Sequence, residues 1–209
     1  KKIKFSLESE INKIIKAYNL NNNWNKAIVK DIQKFKNKKI KKDTALRKNL
    51  KKLSFVTIDG EDAKDFDDAV YAKKIEKNWK LYVAIADVAH YVENNSNIDK
   101  EAKKRGTSTY FPGYVIPMLP EVLSNDLCSL KPNEDKLTVV AEMIINNAGD
   151  IKSYKFYNAI INSSARLTYS QVEKYFKKRN IFKDTNIIKN LDNLFKLYKI
   201  LRKSREKRN

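Results

Sequence analysis

The sequence predicts a mixed α/β fold of the α+β type, with an antiparallel-rich sheet as its core and helices around it. One observation is the position of the turn-forming residues, since all four glycines and all four prolines lie in residues 53–162. Another is the net charge, which is +13 in residues 1–52, −4 in residues 53–162 and +10 in residues 163–209. Short β-rich runs fill the middle segment, whereas both flanks carry apolar residues at helical spacing.

Residues 1–52 are predicted to form a basic helical lead-in that ends in a linker. A first helix is predicted in "SLESEINKIIKAYNL", where Ile11, Ile14 and Tyr18 share one face and Ser6 is a candidate N-cap. A second helix is predicted in "NNNWNKAIVKDIQKFKNKK". The lysine-rich stretches "KKIKK" and "LRKNLKK" are interpreted as a solvated linker to the following domain.

Residues 53–209 are predicted to belong to one domain. We expect strands in "LSFVTID" and "KLYVAIADV", and two more in "KLTVVAEMIINNAGDIKSYKFYNAII", joined by a turn at residues 147–149. Between them, "SNIDKEAKKRG" predicts a short helix with Asn97 as its cap and Gly106 just beyond its end.

Residues 163–209 are predicted to be helical. Thr168 and Gln171 have the spacing of a capping box, which predicts a helix start at this point. Further on, five apolar residues recur at helical spacing and are expected to face the core. They are Ile187, Leu191, Leu194, Tyr198 and Leu201.

Composition limits the partners and the location. The net charge of +19 favours a polyanionic partner such as nucleic acid, although an AT-rich genome would also enrich lysine. No apolar run approaches the roughly 18 residues of a membrane span, so no membrane association is expected. Cys128 is the single cysteine, which excludes an internal disulfide and favours a reducing, cytoplasmic location. His90, the single histidine, is interpreted as structural.

Negative charge is concentrated in "TIDGEDAKDFDDAV", where six carboxylates lie between Asp59 and Asp68. Apolar strand residues flank this stretch on both sides, so the carboxylates are expected next to a core. Crowded carboxylates repel one another, and a bound cation relieves that repulsion. Mg²⁺ prefers such oxygen ligands, takes one or two carboxylates and leaves open positions for a phosphate and a water. The stretch therefore predicts a magnesium site.

Two known kinds of binding motif do not fit the acidic stretch. An EF-hand does not fit, because counting from Asp59 places Ala63 and Lys64 where a fifth-position ligand and a glycine are required. A Walker-type nucleotide site is unsupported, because the required glycine-lysine motif does not occur. A solvated acidic turn and a calcium-binding structural loop both remain open on residue pattern alone.

Longer blocks of sequence carry a family resemblance. These blocks are "FVTIDGEDAKDFDDAVYA", "LYVAIADVAHYV", "EAKKRGTSTYFPGYVIPMLPEVLSNDLCSL" and "SYKFYNAIINSSARLTYSQV". In this order they resemble the catalytic domain of the ribonuclease II/ribonuclease R family, and the ribonuclease R branch in particular, from about Leu53 to Tyr175. The resemblance implies a ribonuclease II-type fold. It also implies a processive 3′→5′ exoribonuclease that uses Mg²⁺ to release nucleoside 5′-monophosphates from single-stranded RNA.

The resemblance assigns roles to individual residues. Asp59, Asp65, Asp67 and Asp68 match the aspartates that bind or organise the catalytic metals of the family. Among them, Asp67 and Asp65 match catalytic positions, and Asp67 is the acid most closely tied to the chemical step. Tyr110 in "TSTYFPG" matches the tyrosine that stacks on the terminal base of the RNA.

The resemblance covers the first half of the family's catalytic domain only. The remainder of that domain supplies a basic residue that stabilises phosphate charge and a second stacking aromatic, and OB-fold domains flank it. The chain is therefore expected to be a truncated domain with low activity by itself. An RNA-binding fragment or remnant without activity is the alternative. Glu61 and Asp62 lie outside the matched set and are interpreted as solvated.

Overall fold

The structure is a computed structural model that describes residues 6–35 and 45–208. The predicted linker stretch "KKIKK", residues 38–42, lies outside the described residues, as does the end of the stretch predicted to form the second helix. None of the helices within the two described ranges is long and apolar enough to cross a membrane.

The described residues form two compact units that alternate along the chain. One unit contains residues 6–35 together with Val88–Leu123, and the other contains residues 45–87 together with residues 124–208. We call them the helical unit and the sheet unit. A middle segment is thus grouped with the N-terminal helices, whereas the sequence predicted a single lead-in followed by a single domain.

Six α-helices and eight strands are present in the described ranges. In chain order they are α1 (Leu7–Ala17), α2 (Lys26–Phe35), β1 (Lys48–Asn49), β2 (Phe55–Asp59), β3 (Asp68–Ile75), β4 (Asn78–Ala86), α3 (Val88–Tyr91), α4 (Asn97–Arg105), β5 (Thr109–Phe111), β6 (Tyr114–Ile116), β7 (Asp135–Ile145), β8 (Ile151–Thr168), α5 (Tyr169–Lys178) and α6 (Thr185–Arg208). A single π-helical turn spans Leu123–Leu127.

The sheet unit is built on six strands in the order β1-β8-β2-β3-β4-β7. Four neighbouring pairs are antiparallel, whereas β8 runs parallel to β1 and to β2. The predicted antiparallel-rich sheet with surrounding helices is therefore confirmed. The long strand β8 pairs with β7 through its first part and with β2 through its last part, so the hydrogen-bonded circuit of strands closes on itself.

One face of β2 and of the last part of β8 packs against α5 and α6. Val56 and Leu167 lie in a buried cluster with helix residues Tyr175, Ile187 and Leu191. Side chains alternate between the two faces of a strand. The neighbouring strand residues, which include Asp59 and Arg166, therefore lie on the face opposite these helices.

The helical unit is organised around the buried side chain of Arg105. Its guanidinium lies 3.7 Å from the Trp24 ring centroid, and its Nε donates to Glu101 at 3.0 Å. The two terminal nitrogens donate to the backbone carbonyls of Pro117 at 2.7 Å and Asn23 at 3.0 Å. One arginine thus ties α4 to the segment between α1 and α2 and to the chain beyond β6.

Two predicted boundaries differ from the structure. The stretch "LRKNLKK" contains strand β1, Lys48–Asn49, because its backbone pairs with Ala159 and Ile160 of β8. The helical part begins at Tyr169 rather than at residue 163, because pairing with β2 extends β8 through Thr168. In both places tertiary pairing outweighs the local pattern.

The helix ends confirm the predicted caps of α1 and α5 and correct that of α4. Ser6 accepts from the backbone N–H of Ser9 at the start of α1, as predicted. Thr168 and Gln171 form the predicted capping box at the start of α5. In α4 the cap is Ser96, which accepts from the backbone N–H of Asp99, rather than Asn97. In α6 the prediction that Tyr198 faces the core is wrong, because its side chain is 52% exposed.

Candidate metal and active site

The four matched aspartates gather at one end of the sheet. Asp59 is the last residue of β2 and Asp68 is the first residue of β3. The two strands are antiparallel neighbours, so the end of one lies beside the start of the other. Asp65 and Asp67 lie between them in residues 60–67, which we call the acidic loop.

Backbone hydrogen bonds fix the acidic loop on its C-terminal side. The buried Ser129 hydroxyl accepts from the N–H of Phe66 at 3.1 Å and donates to the carbonyl of Lys64 at 3.1 Å. The carbonyl of Asp67 accepts from the N–H of Ala86 at 2.9 Å. These contacts leave the aspartate carboxylates free of any role in holding the loop.

Arg166 fixes the N-terminal side of the same loop. It lies opposite Thr57 in the register of β8 and β2. Its Nη2 donates to the carbonyls of Gly60 at 2.6 Å and Glu61 at 2.7 Å. Its guanidinium carbon lies 5.4 Å from the centroid of the Phe66 ring.

The aspartates perturb one another electrostatically. Partial desolvation raises the pKa of Asp59, the nearby charge of Asp68 raises it further, and Arg166 opposes the shift. Although Asp67 is exposed as a residue, partial desolvation of its carboxyl group and the charges of Asp65 and Asp68 raise its pKa. Within residues 6–35 and 45–208, none of the four aspartates has a lysine or arginine ion-pair partner.

The residues present fit a hard divalent cation, although they do not form a complete cage. In the part of the chain that the structure describes, no three histidine, cysteine, aspartate or glutamate side chains converge as a metal site. Mg²⁺ needs only one or two protein carboxylates and completes its shell with water and phosphate. The Oδ2 of Asp59 is buried without a hydrogen-bond partner among the described atoms. Such an oxygen is suited to a cation ligand.

Tyr110 belongs to the helical unit rather than to the sheet unit. It lies in the hairpin of β5 and β6, opposite Val115, and its side chain is 69% exposed. The neighbouring rings of Phe111 and Tyr114 pack against each other, with their centroids 6.3 Å apart. The role of Tyr110 in base stacking stays a prediction.

Cys128 and His90 do not enter the candidate chemistry. Burial raises the pKa of the Cys128 thiol to about 12, and the charge of Asp67 adds to this shift, so the thiol stays protonated at neutral pH. The His90 ring lies edge-on to Tyr91 in the helical unit, with their centroids 5.0 Å apart.

Sequence reasoning missed two residues that shape the site. Ser129 and Arg166 both lie inside the blocks that carry the family resemblance, in "LCSL" and "SSARLTYS". Neither residue type indicates loop anchoring on its own. The position of Arg166 follows from the pairing of β8 with β2, whereas Ser129 reaches the acidic loop from the segment before β7, and no local pattern specifies either position.

Comparison with known proteins identifies the family of the chain. Residues 47–209 match the family described as RNB domain, so the chain belongs to the RNB domain family. Ribonuclease R of Escherichia coli strain K12 is 47% identical over 188 residues, which are 88% of this chain and 23% of that protein. The chain therefore spans about a quarter of the length of this relative.

Solved structures agree with this assignment. Ribonuclease R of Mycoplasma genitalium in complex with ribose-methylated single-stranded RNA is 40% identical with a TM-score of 0.91, covering 97% of this chain and 32% of that one. Its complex with double-stranded RNA gives a TM-score of 0.90 at 40% identity, with coverage of 97% and 36%. Yeast Ssd1, described as a pseudonuclease, is 19% identical with a TM-score of 0.62, covering 74% and 19%. At that identity Ssd1 shares the fold alone.

Proposed function

We propose that the protein is a Mg²⁺-dependent, processive 3′→5′ exoribonuclease that releases nucleoside 5′-monophosphates from single-stranded RNA. The acidic loop and the two aspartates that bound it, within an RNB domain, carry this proposal. Similarity to ribonuclease R proteins, one of which was solved with single-stranded RNA, supports RNA as the substrate class.

Asp59, Asp65, Asp67 and Asp68 are the residues that would hold Mg²⁺. When bound, the cation would activate a water and neutralise charge on the phosphate. Attack of a water oxygen on the last phosphodiester breaks the bond between phosphorus and the 3′ oxygen, so the phosphate leaves on the released nucleotide. In the absence of metal, desolvation and the charges of Asp65 and Asp68 raise the pKa of Asp67, and a cation bound at this site would relieve that repulsion.

RNA is expected to be held by stacking and by phosphate contacts. The exposed ring of Tyr110 is available to a terminal base, and stacking of this kind contributes about 1–3 kcal/mol per base whatever the base. Lysine and arginine exceed acidic residues by 13 in residues 1–52 and by 10 in residues 163–209. Such segments attract phosphates without sequence preference.

The test uses the full-length gene product with uniformly labelled single-stranded RNA. We expect Mg²⁺-dependent appearance of nucleoside 5′-monophosphates and no reaction in EDTA. An RNA of the same sequence with a blocked 3′ end should resist degradation, which separates exonuclease from endonuclease action. Oligonucleotide products without mononucleotides would contradict the proposal.

A matched pair of loop variants identifies the acids that act. Asp67→Asn is expected to remove most of the activity, because it deletes a charge from the proposed cation site. Asp62→Asn removes a carboxylate of the same loop that lies outside the matched set, and it is expected to retain activity. Equal rates for Asp67→Asn and the parent protein would show that this cluster does not perform the reaction.

A second candidate function is RNA binding without cleavage. The incomplete carboxylate cage among the described residues and the strongly basic segments 1–52 and 163–209 favour it. Binding through phosphates would weaken steeply with salt. Mg²⁺-dependent turnover by the full-length protein would exclude this candidate, whereas salt-sensitive binding with no turnover would support it.

We also propose a cytoplasmic location, where a single buried thiol such as that of Cys128 remains reduced. Fractionation of cells that express the full-length protein with a small tag tests this location.

A further inference from the structure

Arg166 carries a positive charge beside the four aspartates without forming an ion pair with any of them. Its Nη2 donates to two consecutive backbone carbonyls, those of Gly60 and Glu61, at 2.6 and 2.7 Å. An arginine that bound the carboxylate of Asp59 directly would occupy the oxygens that a cation needs. The observed contacts leave those oxygens open.

The charge of Arg166 still acts on the cluster. It favours the ionised form of Asp59, against burial and against the charge of Asp68. The residue therefore offsets part of the repulsion at Asp59 while it closes the start of the loop. Point charges near carboxylates have this effect without direct contact.

The hydrogen bonding of Arg166 is not that of a fully satisfied structural residue. Its Nε is buried and donates to no atom of the described residues. A buried donor without a partner costs about 1–3 kcal/mol. By contrast, Arg105 in the helical unit uses its Nε and both terminal nitrogens. The fold thus carries this cost at Arg166, the residue whose side chain binds the backbone carbonyls of the acidic loop.

We propose that Arg166 is a positioning residue that closes the acidic loop through the carbonyls of Gly60 and Glu61 and places its charge beside Asp59 without pairing with it, so that the aspartates can share a divalent cation. The inference rests on the proposed function, because it assumes that these aspartates hold the cation. It adds a residue outside the carboxylate set, with a role that is electrostatic and conformational rather than ligating.

Three substitutions separate the two parts of this role. Arg166→Lys keeps the charge but loses the planar fork that reaches both carbonyls. Arg166→Gln keeps an N–H donor and loses the charge. Arg166→Met loses both. The control is Arg179→Met, because Arg179 also contacts rings and pairs with Asp192, yet does not touch the acidic loop.

Metal affinity is the first measurement. The full-length protein is titrated with Mn²⁺, and free Mn²⁺ is followed by electron paramagnetic resonance. Residues that orient metal ligands typically change affinity by about 10–100-fold, so Arg166→Met is expected to weaken Mn²⁺ binding within that range. Arg166→Lys and Arg166→Gln should each recover part of the loss, and Arg179→Met should bind as the parent does.

Hydrogen exchange without metal is the second measurement. Mass spectrometry of peptides that cover residues 60–67 should show faster exchange in Arg166→Met, with strand β4 unchanged as an internal reference for folding. The inference is overturned if Arg166→Met, with the parent binding Mn²⁺, matches the parent in affinity or in loop exchange. If the parent itself binds no Mn²⁺, the proposed function fails and this inference fails with it.

Discussion

Two groups of carboxylates in the sheet unit have opposite environments. Glu142 on β7 is only 5% exposed, and it is surrounded by donors. The Tyr157 hydroxyl donates to it at 2.6 Å and Lys80 lies 3.0 Å away, while Lys48 and Lys155 each lie 3.4 Å away. Burial alone would raise the pKa of Glu142, but these hydrogen bonds and charges lower it to about 2.

The acidic loop has the reverse arrangement. Burial and neighbouring carboxylates raise the pKa of Asp59 and Asp67, and neither has a basic ion-pair partner among the described residues. Glu142 is neutralised by the protein itself, so it can contribute only to folding. The aspartates are left to be neutralised from outside, which is what a cation site requires. The degree of internal pairing thus separates a structural carboxylate from a candidate functional one.

The largest expected effect is on the rate of RNA cleavage, which should fall when an aspartate of the acidic site is replaced but not when Glu142 is replaced. Asp59→Asn in the full-length protein should lower the rate of single-stranded RNA degradation by about 10²–10³-fold, which is the range for loss of one charged or dipolar catalytic contact. Glu142→Gln should change the rate by less than about threefold under conditions in which it stays folded. The rates are measured at saturating RNA and Mg²⁺.

If Asp59→Asn and Glu142→Gln lost cleavage rate to a similar degree, internal pairing would not separate structural from functional carboxylates. Circular dichroism at the assay temperature provides the control, since it shows whether Glu142→Gln remains folded. Rescue of Asp59→Asn by higher Mg²⁺ concentration would locate its defect in cation binding rather than in the chemical step.

The second largest effect is on the free energy of unfolding, and here replacing Glu142 should matter more than replacing an aspartate of the acidic site. Glu142→Gln should lower the free energy of unfolding by about 2–3 kcal/mol at pH 7, because it leaves three lysines without their shared carboxylate. Urea unfolding followed by circular dichroism measures this difference. Glu173→Gln on α5 is the control, because Glu173 forms an exposed pair with Lys177 and its loss should change the free energy of unfolding far less.

The ion pairs of Glu142 also predict how the stability of the chain depends on pH. The pKa of Glu142 is about 2 in the folded chain and 4.5 in its ordinary environment. Its contribution to stability is therefore complete above about pH 4.5 and is lost as the pH falls toward 2. The stability difference between the parent and Glu142→Gln should shrink across this window. A difference that stays constant from pH 7 to pH 2 would contradict the assigned ion pairs.

Much of the sheet unit follows from the sequence, because its strands have a clear period and clear turns. Strand β2 and the hairpin of β7 and β8 were predicted at nearly their observed positions. The capping box of Thr168 and Gln171 was also predicted, since capping depends on residues only three positions apart. Strand β1, Lys48–Asn49, was not predicted, because this lysine-rich stretch forms a strand only through its pairing with β8.

The candidate site divides in the same way. The clustering of Asp59 and Asp68 was predictable, since both belong to one short stretch of sequence. The roles of Arg166 and Ser129 were not, because each reaches the acidic loop from more than 60 positions away along the chain. Local pattern identifies the acids, and long-range pairing decides what holds them.

The smallest expected effect concerns the acidic loop without metal. Desolvation and the neighbouring carboxylates raise the pKa of Asp67 and so disfavour its ionised form in the folded chain, which means that Asp67→Asn should slightly raise the stability and the Tm in EDTA. Mg²⁺ should raise the Tm of the parent through binding to the folded state, and Asp67→Asn should lose most of that increase. Differential scanning calorimetry measures both arms, with Asp62→Asn as the control that should follow the parent. Stabilisation in EDTA combined with a lost response to Mg²⁺ is the signature of a carboxylate kept unpaired for a cation, whereas a solvated acidic turn would show neither change.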